Sequence, residues 1–455
     1  MTAPFGLRDS GIMRRALKTY LVALSSLWTV AILIVSLRRF VLHRAFPLNS
    51  LFLSPGSRFW DFTVYAPRFA VWGQGDRFFT LPGFPFDYPP PVVISELAYY
   101  KLSDKPLYAY LATVILFAVA GALLVAMAVP KRIQVRPLAI AAALATAIFS
   151  YPLFFLLERA NIEGVVWMAS SLGLLFFACR RFTWSAIFLA LATAMKLFPG
   201  PLLLLLLAKR RYRDFCLALA AFAAFTYGSL WLTGPSPLRA AQGIVQGMDH
   251  LRQDQVLHFI PPDVGFDHSI WSLVKQVLHR WNPSDSALNA LLPRIYLIYG
   301  LFALAFFAAA YLSRIRYLPV LNQMLALSAL SVLLPFVSFD YTLVHMFAPF
   351  SILLLVLAAD VSSGRLRLTY QQILFLLLPF AILFTPQSYL VVSIVGYDGQ
   401  VKALALLALI AASASIPLPS SMFSELPERQ TLMLNLRLRS PELSEGGRED
   451  APEYA

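Results

Sequence analysis

The sequence predicts an all-α, polytopic membrane protein, and three observations carry that prediction. Of its 455 residues, 59% are hydrophobic and only 13% charged, with a mean hydropathy of +0.68. One globular core cannot absorb that much apolar surface, so lipid is the solvent. Runs of about twenty apolar residues recur, each enough to cross a hydrocarbon layer roughly 30 Å thick. The 37 Lys and Arg fall mainly in short segments between those runs, as membrane topology requires.

In chain order, spans are expected near 17–37, 107–129, 136–157, 162–180, 214–233, 292–313, 317–339, 341–360, 369–390 and 398–416. Arg14, Arg15 and Lys18 before the first run imitate a signal peptide, but no small-residue cleavage site follows cleanly. "SLRRF" therefore reads as the flank of a retained first helix. Residues 182–208, "FTWSAIFLALATAMKLFPGPLLLLLLA", are bracketed by Arg180–Arg181 and "KRRYR" and broken by "KLFPGP". With both basic flanks on one side, this segment must enter and return as a broken helical hairpin. The total is about 10–12 transmembrane helices.

The basic groups set the sides. The amino terminus, "KRIQVR" at 131–136, Arg180–Arg181, "KRRYR", Arg314–Arg316 and "RLR" at 365–367 all fall on the cytoplasmic face if helices alternate from a cytoplasmic start. The outer face of the inner membrane then collects Asp61, Glu158, Arg159, Glu163, Lys196, Asp263, Asp267, His268 and Asp340. Two outer loops are long, about 38–106 and 234–291. In the first, "LNSLFL" and "PVVISELAYYKL" read as interfacial helices. Residues 1–416 form the membrane domain, and 417–455 are a polar tail expected to be disordered in the cytoplasm.

Composition also excludes function classes. The net charge of +13 is topological, so no nucleic-acid partner is expected. Cys179 and Cys216 have no metal-ligand spacing around them and read as free thiols. There is no Asp-x-Asp pair and no Gly-rich phosphate loop, so nothing points to a nucleotide sugar. No cofactor is indicated. Metal dependence stays open: Asp61 with Asp340 or Asp263 supplies carboxylates for Mg²⁺ or Mn²⁺, but the spacing provides no evidence for a ligand set.

Six short elements occur in order over roughly 57–360: "WDFTVY" around Asp61, "FDYPPPV" at 86–92, "ERANIEG" at 158–164, "ATAMKLFPGPLLLLLL" at 192–207, "DHSIWSLV" at 267–274 and "DYTLVHMFAPFSILLL" at 340–355. Together they resemble glycosyltransferase family 87, polyprenol-phosphate-mannose-dependent mannosyltransferases that are integral membrane enzymes of the GT-C class. The resemblance implies a polyprenyl-phosphate sugar donor, a lipid-linked or glycan acceptor, and Asp61 as general base for direct, inverting transfer. One departure is Ala160, where the family often has Gly.

The residue types suit that chemistry independently. Sugar transfer from a lipid phosphate needs a base at the acceptor oxygen, donors at the leaving phosphate and exclusion of water. Asp61 at the membrane surface suits the first task; its structural alternative is an N-cap on "FTVYAPRF". Lys196, inside an apolar stretch, pairs with the donor phosphate or else snorkels beside the proline break. His345 is a second phosphate-facing candidate, or a packed histidine. Arg159 contacts phosphate or anchors Glu163, while Asn161 caps a helix. Tyr65, Asp87, Tyr88, Asn161, Glu163, His268 and Asp340 are expected to line the substrate cavity, with "DYPPP" a rigid wall at its mouth. The neighbouring aromatics stack on sugar or form an interfacial belt among membrane lipids. A lipid-sugar flippase or solute transporter, or a polysaccharide ligase or polymerase, remains the competing class, and oligomeric state is not legible.

Overall fold

The computed structural model describes residues 8–37, 41–42, 58–128, 150–259, 266–281, 284–363, 368–385 and 398–418. Outside them lie "LNSLFL", Asp263, most of the span expected over 136–157, and the tail beyond 418. Within them the chain is helical, with a lone β-bridge between Asp267 and Phe339.

The helices are α1 Arg8–Ser36, α2 Trp60–Thr63, α3 Ala66–Ala70, α4 Arg77–Thr80, α5 Pro90–Leu102, α6 Pro106–Ala128, α7 Tyr151–Arg159, α8 Glu163–Ala178 and α9 Phe182–Met195. They continue as α10 Leu204–Ala208, α11 Tyr212–Thr233, α12 Pro237–Leu251, α13 Ile270–Trp281, α14 Asp285–Ser313, α15 Val320–Leu333, α16 Phe347–Ser363, α17 Tyr370–Phe384 and α18 Asp398–Ser415. Among the described residues, Pro106–Val125, Tyr212–Thr233, Ser286–Tyr317 and Asp340–Ala359 are long and apolar enough to cross a membrane, and five shorter apolar helices accompany them. The protein is an all-α polytopic membrane protein.

The broken hairpin forms as its sequence dictates. Helix α9 stops at Met195, Lys196 is extended, and a 3-10 turn over Gly200–Leu203 leads into α10. Pro199 and Pro201 lack the N–H groups that would continue α9. The other ends of these helices close in matching corners. Arg180 and Arg210 take positive φ of 60° and 56°, and the N–H groups of Arg181 and Arg211 each reach back 2.8 Å, to the carbonyls of Phe176 and Leu206. This is the Schellman closure. Glu163, starting α8, and Lys196, ending α9, therefore lie at the opposite end of their helices from the arginine corners.

Two cores flank this hairpin. One is aliphatic and centres on α15, every residue of which is buried. A helix apolar on all sides belongs in the interior, and its Asn322 serves a neighbouring helix end. Asn322 Nδ2 donates to the Ser413 and Ile416 carbonyls at 2.7 Å each, and its Oδ1 accepts the Leu418 N–H at 2.9 Å, which closes the end of α18. The other core is aromatic, built under the first loop from Phe62, Tyr65, Phe69, Phe86, Tyr110 and Phe155 with Val92 and Val93 of α5. The expected helix in "PVVISELAYYKL" is α5, with prolines at its first positions, where a missing N–H costs nothing.

Candidate active site

Phe59, at φ +59°, turns the chain into α2, and its N–H donates to the Glu158 carbonyl at 2.7 Å, which stitches the first loop to the end of α7. Asp61 follows, buried, and it caps nothing: neither α2 nor α3 has a side-chain cap bond. Its carboxylate is held instead by residues about a hundred positions away. Arg159 donates from Nε to Oδ2 at 3.2 Å and from Nη2 to Oδ1, and Asn161 Nδ2 donates to Oδ2 at 2.7 Å. A carboxylate has about four lone-pair positions. Among the described residues three of Asp61's are filled, which leaves one position on Oδ1.

Asn161 joins three parts of the site. Its Nδ2 also donates to Tyr88 Oη at 3.1 Å, and its Oδ1 accepts the Glu163 N–H at 2.9 Å, the capping role expected of it. Ala160 before it takes φ +50° and ψ +41° as the C-cap of α7. That left-handed position suits glycine and strains alanine, which explains the glycine in the related pattern.

Glu163 is fully buried and shared. Lys196 Nζ donates to its Oε2 at 2.6 Å, and His345 Nε2 lies 2.6 Å from its Oε1. His345 Nδ1 contacts Ser170 Oγ at 2.8 Å. Both nitrogens of His345 are thus engaged, and the anchor of Glu163 is Lys196 with His345 rather than Arg159. An ammonium has three donors. Lys196 spends one on Glu163, makes a long 3.5 Å contact to Asn161 Oδ1, lies 5.0 Å from the Tyr88 ring centroid and keeps 17% side-chain exposure.

In "DYPPP", Asp87 is buried. Asp87 Oδ1 accepts from Tyr65 Oη at 2.5 Å, and burial pushes its carboxyl up to about 6 against the opposing pull of the Tyr65 bond and Lys196. Glu96, on the next turns of α5, is fully buried, and neither of its oxygens meets a donor among the described residues. Burial drives its carboxyl well above the usual range, with Asp87 and Asp61 adding to the push.

A family model for glycosyltransferase family 87 matches residues 86–335, more than half of the chain. The chain belongs to glycosyltransferase family 87. No curated protein and no solved structure matches it. Membership makes it a membrane glycosyltransferase, with a sugar donor and a glycan or lipid acceptor. The family 87 match takes in Asp87, Tyr88, Arg159, Asn161, Glu163, Lys196 and His268; Asp61 precedes it, and Asp340 and His345 follow it.

Two residues expected in the substrate cavity of this family 87 protein bond to each other rather than to the network around Asp61 and Glu163. His268 and Asp340 are both sealed from solvent and belong to a second cluster. His268 Nδ1 lies 3.3 Å from Asp340 Oδ1, and its Nε2 is 3.1 Å from Ser338 Oγ. Asp340 Oδ2 accepts from Tyr151 Oη at 2.8 Å and from Lys402 Nζ. Backbone bonds bring the two motifs together: Asp340 N–H donates to the Phe266 carbonyl at 2.9 Å and His268 N–H to the Ser338 carbonyl at 3.0 Å. Lys402 and Glu96 went unmarked in the sequence. Among the described residues no three His, Cys, Asp or Glu side chains gather to hold a metal. A cleft of about 370 Å³ between the first loop and α12 is lined by Arg68, Phe79, Phe86, Gln246 and His250, and none of the acids above lines it.

Proposed function

We propose that this family 87 enzyme transfers a hexose, mannose being the family's best-known sugar, from a polyprenyl-phosphate donor to a hydroxyl of a lipid-linked or surface glycan. The site faces outward from the inner membrane, in a GT-C-type domain over 1–416. The observation that carries the reading is one network joining Asp61 through Asn161 to Lys196, in which, among the described residues, Asp61 Oδ1 keeps an open position and Lys196 a spare donor. A base and a phosphate-binding cation in one network are what direct displacement requires.

In this reading the acceptor hydroxyl oxygen attacks the anomeric carbon on the face opposite the phosphate. The bond from that carbon to the phosphate oxygen breaks, and its electron pair leaves with polyprenyl phosphate. The hydroxyl proton passes to Asp61 Oδ1, and the anomeric configuration inverts. Arg159 and Asn161 hold Asp61 in one orientation, a positioning task, and Lys196 meets the developing phosphate charge with Glu163 and His345 behind it. The sidedness is supported by the arginine corners at the far ends of α8 and α9, since short basic segments mark the cytoplasmic face. A lipid-linked donor suits an outward site because nucleotide sugars stay in the cytoplasm.

The test is transfer from radiolabelled polyprenyl-phosphate sugars by membranes carrying wild type or Asp61→Asn. Asp61→Asn is expected to lose on the order of 10²–10⁴ in rate. Equal transfer by both removes Asp61 as the base. Solute uptake into vesicles without transfer from any such donor replaces the reading with transport.

A further inference from the structure

We infer that Lys402, in the last described helix, is a positioning residue for the phosphate end of the site, acting through the 3-10 helix Asp340–Met346. The inference rests on the proposal that Lys196 meets the donor phosphate.

The first observation is the lysine itself. Lys402 is buried in the apolar α18, where a charge is costly unless paired. Its Nζ donates to Asp340 Oδ2 and lies 4.5 Å from the Tyr151 ring centroid. Asp340 begins the 3-10 helix, so α18 grips that helix by its first residue.

The second is the 3-10 helix. Runs beyond three or four residues are uncommon and mark hinges or constrained segments; this one has seven, all buried. With three residues per turn, side chains at i and i+3 eclipse. Tyr341 and Val344 accordingly enter the aromatic core, while Leu343 and Met346 enter the aliphatic one. The helix is a wedge between two cores. Its far end carries His345 on Glu163, and its Tyr341 ring centroid lies 5.8 Å from Lys196 Nζ.

The third is that the grip is itself anchored. Asn322 of the fully buried α15 holds the other end of α18 at the Ser413 and Ile416 carbonyls. A wedge with Asp340 fixed at one end can only present His345, and so Glu163 and Lys196, at one place. Residues 340–346 and 398–415 both lie beyond the segment matched by the family model.

The experiment uses the purified full chain and two readouts, binding of polyprenyl phosphate without sugar and transfer kinetics. The variant is the double substitution Asp340→Asn with Lys402→Met, which leaves no lone buried charge and is expected to keep the wild-type unfolding temperature. It is expected to bind polyprenyl phosphate about tenfold more weakly and to raise the donor KM by a similar factor, with the acceptor KM unchanged. Wild-type binding and donor KM in the double variant overturn the inference. If the double variant does not fold, Tyr151→Phe removes one hydroxyl from Asp340 without touching charge, and unchanged polyprenyl-phosphate binding there overturns it equally. A wild-type protein that does not bind polyprenyl phosphate overturns the donor reading itself, and the inference falls with it.

Discussion

Glu163 and Asp340 are centres built from the same parts. Each is a fully buried carboxylate whose oxygens are shared by a lysine and a histidine, Lys196 with His345 in one and Lys402 with His268 in the other. Each histidine offers its second nitrogen to a serine hydroxyl, at 2.8 Å for Ser170 and 3.1 Å for Ser338. Each lysine lies over a tyrosine ring, at 5.0 Å for Tyr88 and 4.5 Å for Tyr151. Access is what differs. The Lys196 side chain is 17% exposed and stands at a helix break, whereas that of Lys402 is 2% exposed within a continuous helix. In the reading proposed above, the exposed cation meets a ligand and the sealed one braces the fold.

Neutralising each lysine tests that contrast most severely. Lys402→Met strands Asp340 in the interior, and breaking a buried pair from one side costs about 3–5 kcal/mol. Thermal or denaturant unfolding in detergent should show that loss. Lys196→Met leaves Glu163 with His345 and an opening to solvent, so the stability loss should be smaller. Its cost falls on transfer, with kcat/KM down by on the order of 10²–10³. The contrast breaks if Lys402→Met unfolds at the wild-type temperature, or if Lys196→Met keeps wild-type transfer.

Neither Asp87 nor Glu96 has an ion-pair partner among the described residues, and this makes a pH signature that a fully paired cluster lacks. Burial raises the Asp87 carboxyl to about 6, against roughly 3.9 in an unfolded chain. Between those values the folded protein holds a proton that the unfolded chain has lost, so stability falls as pH rises through that window. Above pH 6 the full cost applies, about 3 kcal/mol for a shift of about two units. Glu96 is shifted in the same direction and adds to the slope. Asp87→Asn should therefore flatten the fall in unfolding temperature between about pH 4 and 6.5. A variant with the wild-type slope shows that Asp87 ionises as an ordinary surface acid does.

Much of this was legible in the sequence where one residue's surroundings decide the outcome. Lipid demands length, so the apolar runs marked the helices, and the proline break flanked by arginines marked the hairpin. Asp61 and Lys196 were picked out as charges in apolar settings, and Asn161 as a helix cap. What could not be read was who meets whom. Arg159 was assigned to phosphate or Glu163, yet it lies on Asp61, 98 positions away. His268 and Asp340 were grouped with the substrate cavity because their motifs accompany the others, whereas packing divides them into a second centre. Lys402 resembles a charge flanking its helix, since Asp398 and Gln400 stand just before it. Only its meeting with Asp340, 62 positions away, reveals it as buried.

The two serines provide the finest comparison. Ser338 Oγ touches both His268 Nε2 and, at 3.0 Å, Thr342 Oγ1, within a sealed cluster. Ser338→Ala should cost about 1 kcal/mol of stability, the worth of one hydrogen bond, and change transfer less than about twofold. Ser170 holds the far nitrogen of His345, so Ser170→Ala should cost a similar amount of stability. It also frees the imidazole to turn away from Glu163, which leaves Lys196 bound more tightly to that carboxylate and less available to phosphate. Transfer should then slow by about three- to tenfold, in donor KM rather than acceptor KM. Equal transfer by the two alanine variants would reduce the His345–Ser170 contact to packing. The centre at Glu163 would then differ from that at Asp340 only in the exposure of its lysine.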